Sequence, residues 1–296
     1  MSDLRDPGDA WVTAADGNRY WGRFGAAGLL AYDRNRDAVL MQHRVTWSDH
    51  GDTWGIPGGA RHEGEPAEAA ALREAQEEAG VPDNAVQSRF THLLDRTGWT
   101  YTTLIAEVTS PFEPQITDPE SHALAWVAID EVASLDLHPA FAATWELLRP
   151  LLRARRVIVV DAANVVGSVP DGWWKDRRGA AERLRDRIDA LADAGVRPGF
   201  VGLPETVIPG LERSHPEWIL VTEGRARGIA ASPNVTVVEA PDLGDDTIVT
   251  QTAALVQSGA NVTVVTSDAE LKNRVLGAGA ARTHGTGTLL RLLPAS

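Results

Sequence analysis

Apolar and polar positions repeat in two different rhythms along this chain, and the change falls near residue 150. In the first half, residues 24–31 and 38–44 read as strands, split by the polar turn Asp33-Arg34-Asn35-Arg36-Asp37. Residues 54–59 predict a short strand that runs into a tight Gly58-Gly59 turn. A helix is predicted from about Glu65, with Pro66 at its first position, where a missing N–H costs nothing, and Gly80 closing it. Leu72, Ala75 and Ala79 are its expected buried stripe. Residues 87–94, 100–108 and 124–127 alternate as strands, and 141–152 reads as a closing helix. Residues 1–20 read as a polar arm.

The second half is built of longer apolar runs. Val157-Ile158-Val159-Val160 is continuous, as in a strand covered on both faces of a parallel sheet. Further strands are expected at 200–203, 218–222, 235–238 and 262–266, and helices at 179–194, 246–257 and 269–276. Such alternation of strand and helix predicts an α/β sandwich with a mostly parallel sheet. The fold class is therefore α/β in two domains, residues 1–152 and 153–296.

Composition agrees with two soluble domains: 296 residues, 43% hydrophobic and 23% charged. There is no apolar run long enough for a membrane helix, and Met-Ser-Asp-Leu-Arg-Asp lacks the apolar core of a signal peptide. With no cysteine, disulfides, thiolate metal sites and cysteine nucleophiles are excluded. Cytoplasmic residence and no membrane partner are the expectations. Residues 1–150 carry 24 acidic and 11 basic side chains, a net of −13, whereas 151–296 carry 17 of each. An acidic first domain is a poor non-specific binder of nucleic acid, yet it can take a small polyanion once cations neutralise its site.

The helix that begins near Glu65 carries charge in an unfavourable place. Glu74, Glu77 and Glu78 stand at i, i+3 and i+4 and share a face. Like charges so spaced cost about 0.2–0.5 kcal/mol per pair. The negative end of the helix dipole, just before Gly80, adds roughly 0.3–1 kcal/mol each. A divalent cation removes both penalties; the bland alternative is a solvated acidic face.

The surrounding residues narrow the choice. Gly59, five residues, Glu65, seven residues, Arg73-Glu74-Ala75-Gln76-Glu77-Glu78-Ala79-Gly80-Val81 resembles the box of the Nudix hydrolases at every fixed position, with Ala75 where a bulkier aliphatic is usual. The resemblance implies a mixed sheet clamped by helices in an α/β/α sandwich over about residues 20–150. It implies hydrolysis of the diphosphate bond of a nucleoside diphosphate linked to another moiety, dependent on Mg²⁺ or Mn²⁺. Glu74, Glu77 and Glu78, with the Gly59 carbonyl, are the implied metal ligands, and Arg73 orients the glutamates. The general base is a box glutamate or a loop glutamate; Glu120 is the loop candidate, set against the reading of an ordinary exposed carboxylate. A small nucleotide is the implied substrate, but the subfamily signatures beyond the box are missing, since Asp95 and Arg96 occupy the place of an expected proline. Trp47, Trp99 and Tyr101 either stack on a base or belong to core and rim. Arg44 and Arg23 are candidates for phosphate contact.

In the second half, acids fall where a parallel sheet gathers its strand ends. Asp161 ends the Val157 strand, Glu223 follows a middle strand, Asp245-Asp246 open a helix after Gly244, and Asp268 ends the last clear strand. Asp245 and Asp268 also suit helix N-caps, while Asp161-Ala162-Ala163-Asn164 shows no obvious helix start. Together these tracts resemble PIN-like (NYN-type) nuclease domains over about residues 155–290. That resemblance implies metal binding by Asp161, Asp245 or Asp246, and Asp268, with Asn164 and Glu223 in support. It also implies RNA as a partner, and an alternative function as a metal-dependent ribonuclease with the first domain sensing nucleotides or RNA ends. Arg177, Arg178, Arg183, Arg185 and Arg187 either contact a nucleic-acid backbone or pair with acids along their own helix.

Overall fold

The two rhythms of the sequence become two sheets of different kind. A computed structural model describes residues 8–170, 172–204 and 206–295. The chain divides into one unit of residues 1–153 with 205–212, and a second of 154–204 with 213–296.

The first unit contains, in order, β1 (Trp11–Thr13), β2 (Arg19–Trp21), β3 (Ala26–Asp33), β4 (Ala38–Arg44), β5 (Trp54–Gly55), β6 (Gly58–Ala60), α1 (Ala67–Ala79), β7 (Val86–Asp95), β8 (Thr100–Val108), β9 (Ser121–Ala128) and α2 (Pro139–Leu152). Its sheet is mixed: β3 runs parallel to β8 and antiparallel to β4 and β6, while β9 and β5 both pair antiparallel with β4. β3 is buried along its whole length, which fits its apolar run Ala26–Tyr32 and its place at the sheet's centre.

Helix α1 rests on that strand through alanines. Ala70, Ala71, Ala75 and Ala79 form one apolar cluster with Ala27, Leu29 and Ala31. Small side chains on both elements let the backbones approach, and this places the helix's acidic end over the β6 turn. The buried stripe differs from the predicted one at Leu72, which is 40% exposed. Leu72 lies about 100° around the helix from Ala71, so angular position outweighs its hydrophobicity. The helix closes on Gly80 in the left-handed conformation, φ 63°, with its N–H returned to the Ala75 and Gln76 carbonyls. Pro66 is the N-cap rather than the first helical residue.

The polar arm is partly structured. Residues 1–7 lie outside the described residues, but β1 and β2 form a hairpin that aligns Trp11 with Trp21 and Val12 with Tyr20. Tyr20 stacks on Trp99 at 4.4 Å, which anchors the hairpin on the sheet. Single aromatic residues among polar ones carried that fold, and their alternation was too short to stand out.

From residue 154 onward the chain contains β10 (Arg156–Asp161), α3 (Ala162–Gly167), α4 (Arg177–Ala194), β11 (Leu211–Ser214), β12 (Glu217–Thr222), β13 (Val235–Glu239), α5 (Gly244–Gln257), β14 (Asn261–Val265), α6 (Ala269–Gly277), β15 (Arg282–His284) and α7 (Thr286–Leu290), and all but β11 build the second unit. Five parallel strands take the order β13-β12-β10-β14-β15. Alternate residues of β10 feed opposite cores: Ile158 and Val160 join α3, α4 and α7, whereas Val157 and Val159 join α5 and α6. This is the three-layer sandwich expected of a run buried on both faces. Residues 200–203 are not a strand: Pro198–Val201 is a 3-10 turn closed by Gly202 at φ 82°, because Pro198 and Gly199 break strand pairing.

Residues 205–212 pack with the first unit although they arise far along the chain. The Leu93 N–H donates to the Gly210 carbonyl at 2.7 Å, and β11 extends the first sheet beyond β7. Among the described residues, no helix is long and apolar enough to cross a membrane.

Candidate active site

The first site is built where β6 meets the acidic end of α1. Glu78 lies on the buried side of the helix, 5% exposed, and accepts a hydrogen bond from the Gly58 N–H at 2.7 Å. Burial is the main reason its carboxyl is pushed up to about 8, with the Gly58 N–H opposing. Glu74 is likewise raised to about 7, first by burial, against the pull of Arg73. Its carboxylate sits hard against Gly59: a Cβ there would come 2.6 Å from Glu74 Oε2. Glycine at 59 is thus required for space beside the Glu74 carboxylate.

Arg73 is the hub that holds the acids. It donates to both oxygens of Glu65, at 2.9 and 3.0 Å, to Glu74 at 2.7 Å, to Glu77 at 3.0 Å and to the Ala60 carbonyl at 2.9 Å. The guanidinium of Arg73 is the chief reason the Glu65 carboxyl is held down to about 2. Glu77 is the most exposed of the set, its side chain 57% accessible. Glu65, Glu74 and Glu77 therefore form one network around a single arginine, with Glu78 outside it.

A second group of acids meets Glu78 from the loop before β9. Glu78, Asp118 and Glu120 bring carboxylate oxygens within 4.8 Å of one another. Asp118 and Glu120 are both raised by burial first, and in Glu120 by the Asp118 charge next. Asp118 was not singled out by the sequence, although it stands two residues from Glu120 in the same Asp-Pro-Glu tract. Glu74 and Glu77 do not join a comparably tight triad, since Arg73 draws them toward itself.

Beside these acids lies a cavity of 840 Å³, lined among others by Gly58, Gly59, Glu120, Arg44, Trp47 and His138. Arg44 is close enough to depress the carboxyls of Asp118 and Glu120 electrostatically. Trp47 is 66% exposed and free to stack at the rim. Trp99 is not: its indole N–H donates to the Trp21 and Gly22 carbonyls, and the ring belongs to the hairpin's anchor. Arg23 lies over the Phe24 ring at 5.7 Å.

Across the second unit the acids gather only in part. Asp245 is close enough to Asp161, Glu223 and Asp268 for their charges to couple, and Asp161 to Glu223, near the carboxyl ends of β10, β12 and β14. The strand order reverses between β10 and β14, so this is the sheet's topological switch point. Three of these acids are also used by the fold. Asp161 caps α3 by accepting from the Asn164 N–H at 3.0 Å, and accepts from the Thr266 hydroxyl at 2.9 Å. This corrects the expectation that no helix starts there. Asp268 caps α6, as expected of an N-cap, through the Leu271 N–H at 2.7 Å. Asp245 does not cap α5, whose N-cap is Leu243; Glu223 accepts from the Gly244 N–H at the helix start at 2.6 Å. Asp246 turns away to pair with Arg274, which leaves Asp245 as the member of that pair that faces the others. Asn164 ties the group together by accepting from the Ser267 N–H at 2.8 Å.

The arginines of α4 and its approach are engaged locally. Arg178 pairs with Glu182, Arg185 with Asp186, Arg183 reaches Asp176, Arg187 donates to the Pro294 carbonyl, and Arg177 lies over Trp173.

Comparison with known proteins bears on the first unit. A NUDIX domain model matches residues 22–149. A Mycobacterium tuberculosis protein named "Putative 8-oxo-dGTP diphosphatase 3" is 46% identical over 155 residues, spanning 49% of this chain and 71% of its own. A Bifidobacterium longum "Nucleoside triphosphate pyrophosphatase/Nudix hydrolase fusion protein" is 38% identical over 152 residues, 49% of this chain and 32% of its own. Among solved structures, the Nudix hydrolase RenU from M. smegmatis is 45% identical, with 49% of this chain and 94% of that one covered and a TM-score of 0.44.

Proposed function

The chain belongs to the Nudix family of hydrolases, which act on phosphoric anhydrides, and from that membership we propose that its first unit cleaves the diphosphate bond of a nucleoside diphosphate linked to another moiety. One observation carries the reading: a buried carboxylate, Glu78, meets Asp118 and Glu120 at ligand spacing beside a cavity of nucleotide size. The donor set suits a hard divalent cation, being all oxygen. Glu78, and Glu74 one turn before it on α1, are pushed toward neutrality by burial, a cost that a cation removes.

Mg²⁺ or Mn²⁺, when bound at this site, would supply the positive charge that polarises the diphosphate and acidifies a water molecule. The Gly59 carbonyl with Glu74, Glu77 and Glu78 would hold it, and Asp118 extends the set. Arg73 keeps Glu74 and Glu77 in place through the network that also fixes Glu65. Glu120 takes the proton from the attacking water, its raised pKa bringing it nearer to the pH at which a base works well. Arg44, on the cavity wall, balances substrate phosphate charge. The 46% identity to a protein named for 8-oxo-dGTP favours a nucleoside triphosphate with an oxidised purine.

A hydrolysis screen with Mg²⁺ and with Mn²⁺ over 8-oxo-dGTP, dGTP, ADP-ribose and diadenosine polyphosphates, with products identified, tests this. We expect nucleoside monophosphate and pyrophosphate from the triphosphate. Glu77→Gln should abolish turnover while the fold persists; undiminished turnover sinks the assignment.

A second reading is favoured by the coupled acids at the switch point. It takes the second unit as a PIN-like, metal-dependent ribonuclease through Asp161, Asp245 and Asp268, supported by Asn164 and Glu223, with the first unit as sensor. RNA cleavage that survives Asp161→Asn would remove it.

A further inference from the structure

One cluster of metal-ligating side chains on the first unit takes no part in the acidic network of α1. Asp49, His50 and His138 bring a carboxylate oxygen and one nitrogen of each ring within 4.8 Å of one another. All three line the 840 Å³ cavity, and Asp49 and His50 are exposed, so an ion has an open path to them. The two imidazoles meet edge to face, with ring centroids 4.8 Å apart. Two nitrogens and one carboxylate are a donor set unlike the all-oxygen set beside Glu78.

Separate parts of the chain hold these groups in place. The loop after β4 presents Asp49 and His50: the Gly51 N–H donates to the Ser48 carbonyl at 3.0 Å, and the Thr53 hydroxyl to the His50 carbonyl at 2.6 Å. A Cβ at Gly51 would come 2.4 Å from the Thr46 carbonyl, so glycine is what lets the loop close. His138 is pinned from the other side, its N–H donating to the Trp54 carbonyl at 2.8 Å. The His138 Nδ1 accepts from the Ala140 N–H at 3.2 Å, which puts the proton of the neutral ring on Nε2. That Nε2 stands 4.0 Å from Asp49 Oδ2, too far for a hydrogen bond. Burial first, then the charges of Arg44 and His50, hold the His138 ring down to about 4, so it is neutral, as a metal ligand must be.

We propose that Asp49, His50 and His138 form a second metal site, for Zn²⁺ or a neighbouring transition ion, on the wall of the substrate cavity. Ligands at about 2.0–2.1 Å from Zn²⁺ stand roughly 3.3 Å apart in a tetrahedron, so modest side-chain rotation closes the three groups on an ion. The ion takes the lone pair of His138 Nε2, the ring proton passes to Nδ1 by exchange with solvent, and the exposed Ala140 N–H turns to water. Arg44 opposes a cation here and Asp49 offsets it. Nitrogen lone pairs rather than net charge therefore select the ion, which favours Zn²⁺ over Mg²⁺. Three protein ligands leave a fourth position for water, as in open rather than closed zinc sites. The site uses none of the residues of the box, so its occupancy is independent of the hydrolytic reading.

The test is calorimetric titration of the full chain with Zn²⁺ in excess Mg²⁺, which competes for all-oxygen sites. Wild type should bind Zn²⁺. His50→Ala and Asp49→Asn should each weaken that binding about tenfold or more, a loss that even outer-shell partners cause. Both residues are exposed, so these variants should keep the wild-type circular dichroism spectrum, and they decide the matter if His138→Gln does not fold. His43→Ala, which removes the histidine paired with Asp52 nearby, should bind Zn²⁺ as wild type does. So should Glu78→Gln, which separates this site from the box. Absence of Zn²⁺ binding in wild type, affinity unchanged in both His50→Ala and Asp49→Asn, or a loss in His43→Ala or Glu78→Gln as large as that in His50→Ala overturns the proposal.

Discussion

Glu78 shows how one residue can be read from sequence as a ligand and yet hold a surprise in structure. The box spacing identifies it, but not that it is buried while Glu77 is exposed. Its raised pKa has a definite sign. A carboxyl whose folded pKa lies above 4.5 stabilises the fold below that value and loses this as pH rises through about 8. Metal-free protein should therefore lose stability between pH 4.5 and 8, on the order of a few kcal/mol, and Glu78→Gln should reduce that slope, leaving the part that the raised Glu74 carboxyl contributes. Thermal melts in EDTA across this range check it, and added Mg²⁺ should restore the wild type. Glu65 has the opposite sign: Arg73 holds it near 2, so its contribution is full above 4.5 and fades as pH falls toward 2. An Arg73→Ala variant should flatten the acid limb of the melting curve. Asp118 was illegible because no local pattern separates it from any loop aspartate; only the fold carries it to Glu78.

At the scale of elements, α1 was legible at both ends and wrong on one face. Pro66 and Gly80 announce its limits through φ alone. The stripe was misread because alanines, not Leu72, make the contact with β3. The same packing explains Ala75, the one soft departure from the box: it is fully buried against alanines. Ala75→Leu should overpack this layer and cost about 1–3 kcal/mol in chemical denaturation. Gly59→Ala tests the neighbouring strand. Its Cβ would press on the Glu74 carboxylate, so turnover should fall on the order of 10²-fold with little change in melting temperature. The second unit's strands were legible from their apolar runs, as at Val157–Val160, because both faces of a parallel strand are covered. Residues 200–203 were misread for the same reason inverted: Phe200, Val201 and Leu203 are buried, but in a turn that caps one core rather than in a sheet.

For the molecule as a whole, the change of rhythm near residue 150 located two units but concealed that the first is completed from within the second's sequence. Residues 205–212 have too few apolar positions to signal a role, and a strand that belongs to a distant sheet leaves no local pattern. Their contribution is nonetheless physical. Ile208 and Leu211 are 6% and 2% exposed, and Gly210 and Pro209 accept hydrogen bonds from Leu93 and His92 along β7. Burial of two such side chains contributes about 1.5–3 kcal/mol each, and the pairing covers a strand edge that would otherwise invite association. A fragment ending at residue 153 keeps every acid of the box but uncovers β7. It should melt several degrees below the corresponding transition of the full chain and self-associate on size exclusion. Leu211→Ala in the full chain should reproduce the loss of stability, about 2–5 kcal/mol, without the association, because the backbone pairing survives. A fragment as stable and monodisperse as the full chain would show that residues 205–212 contribute nothing to the first unit.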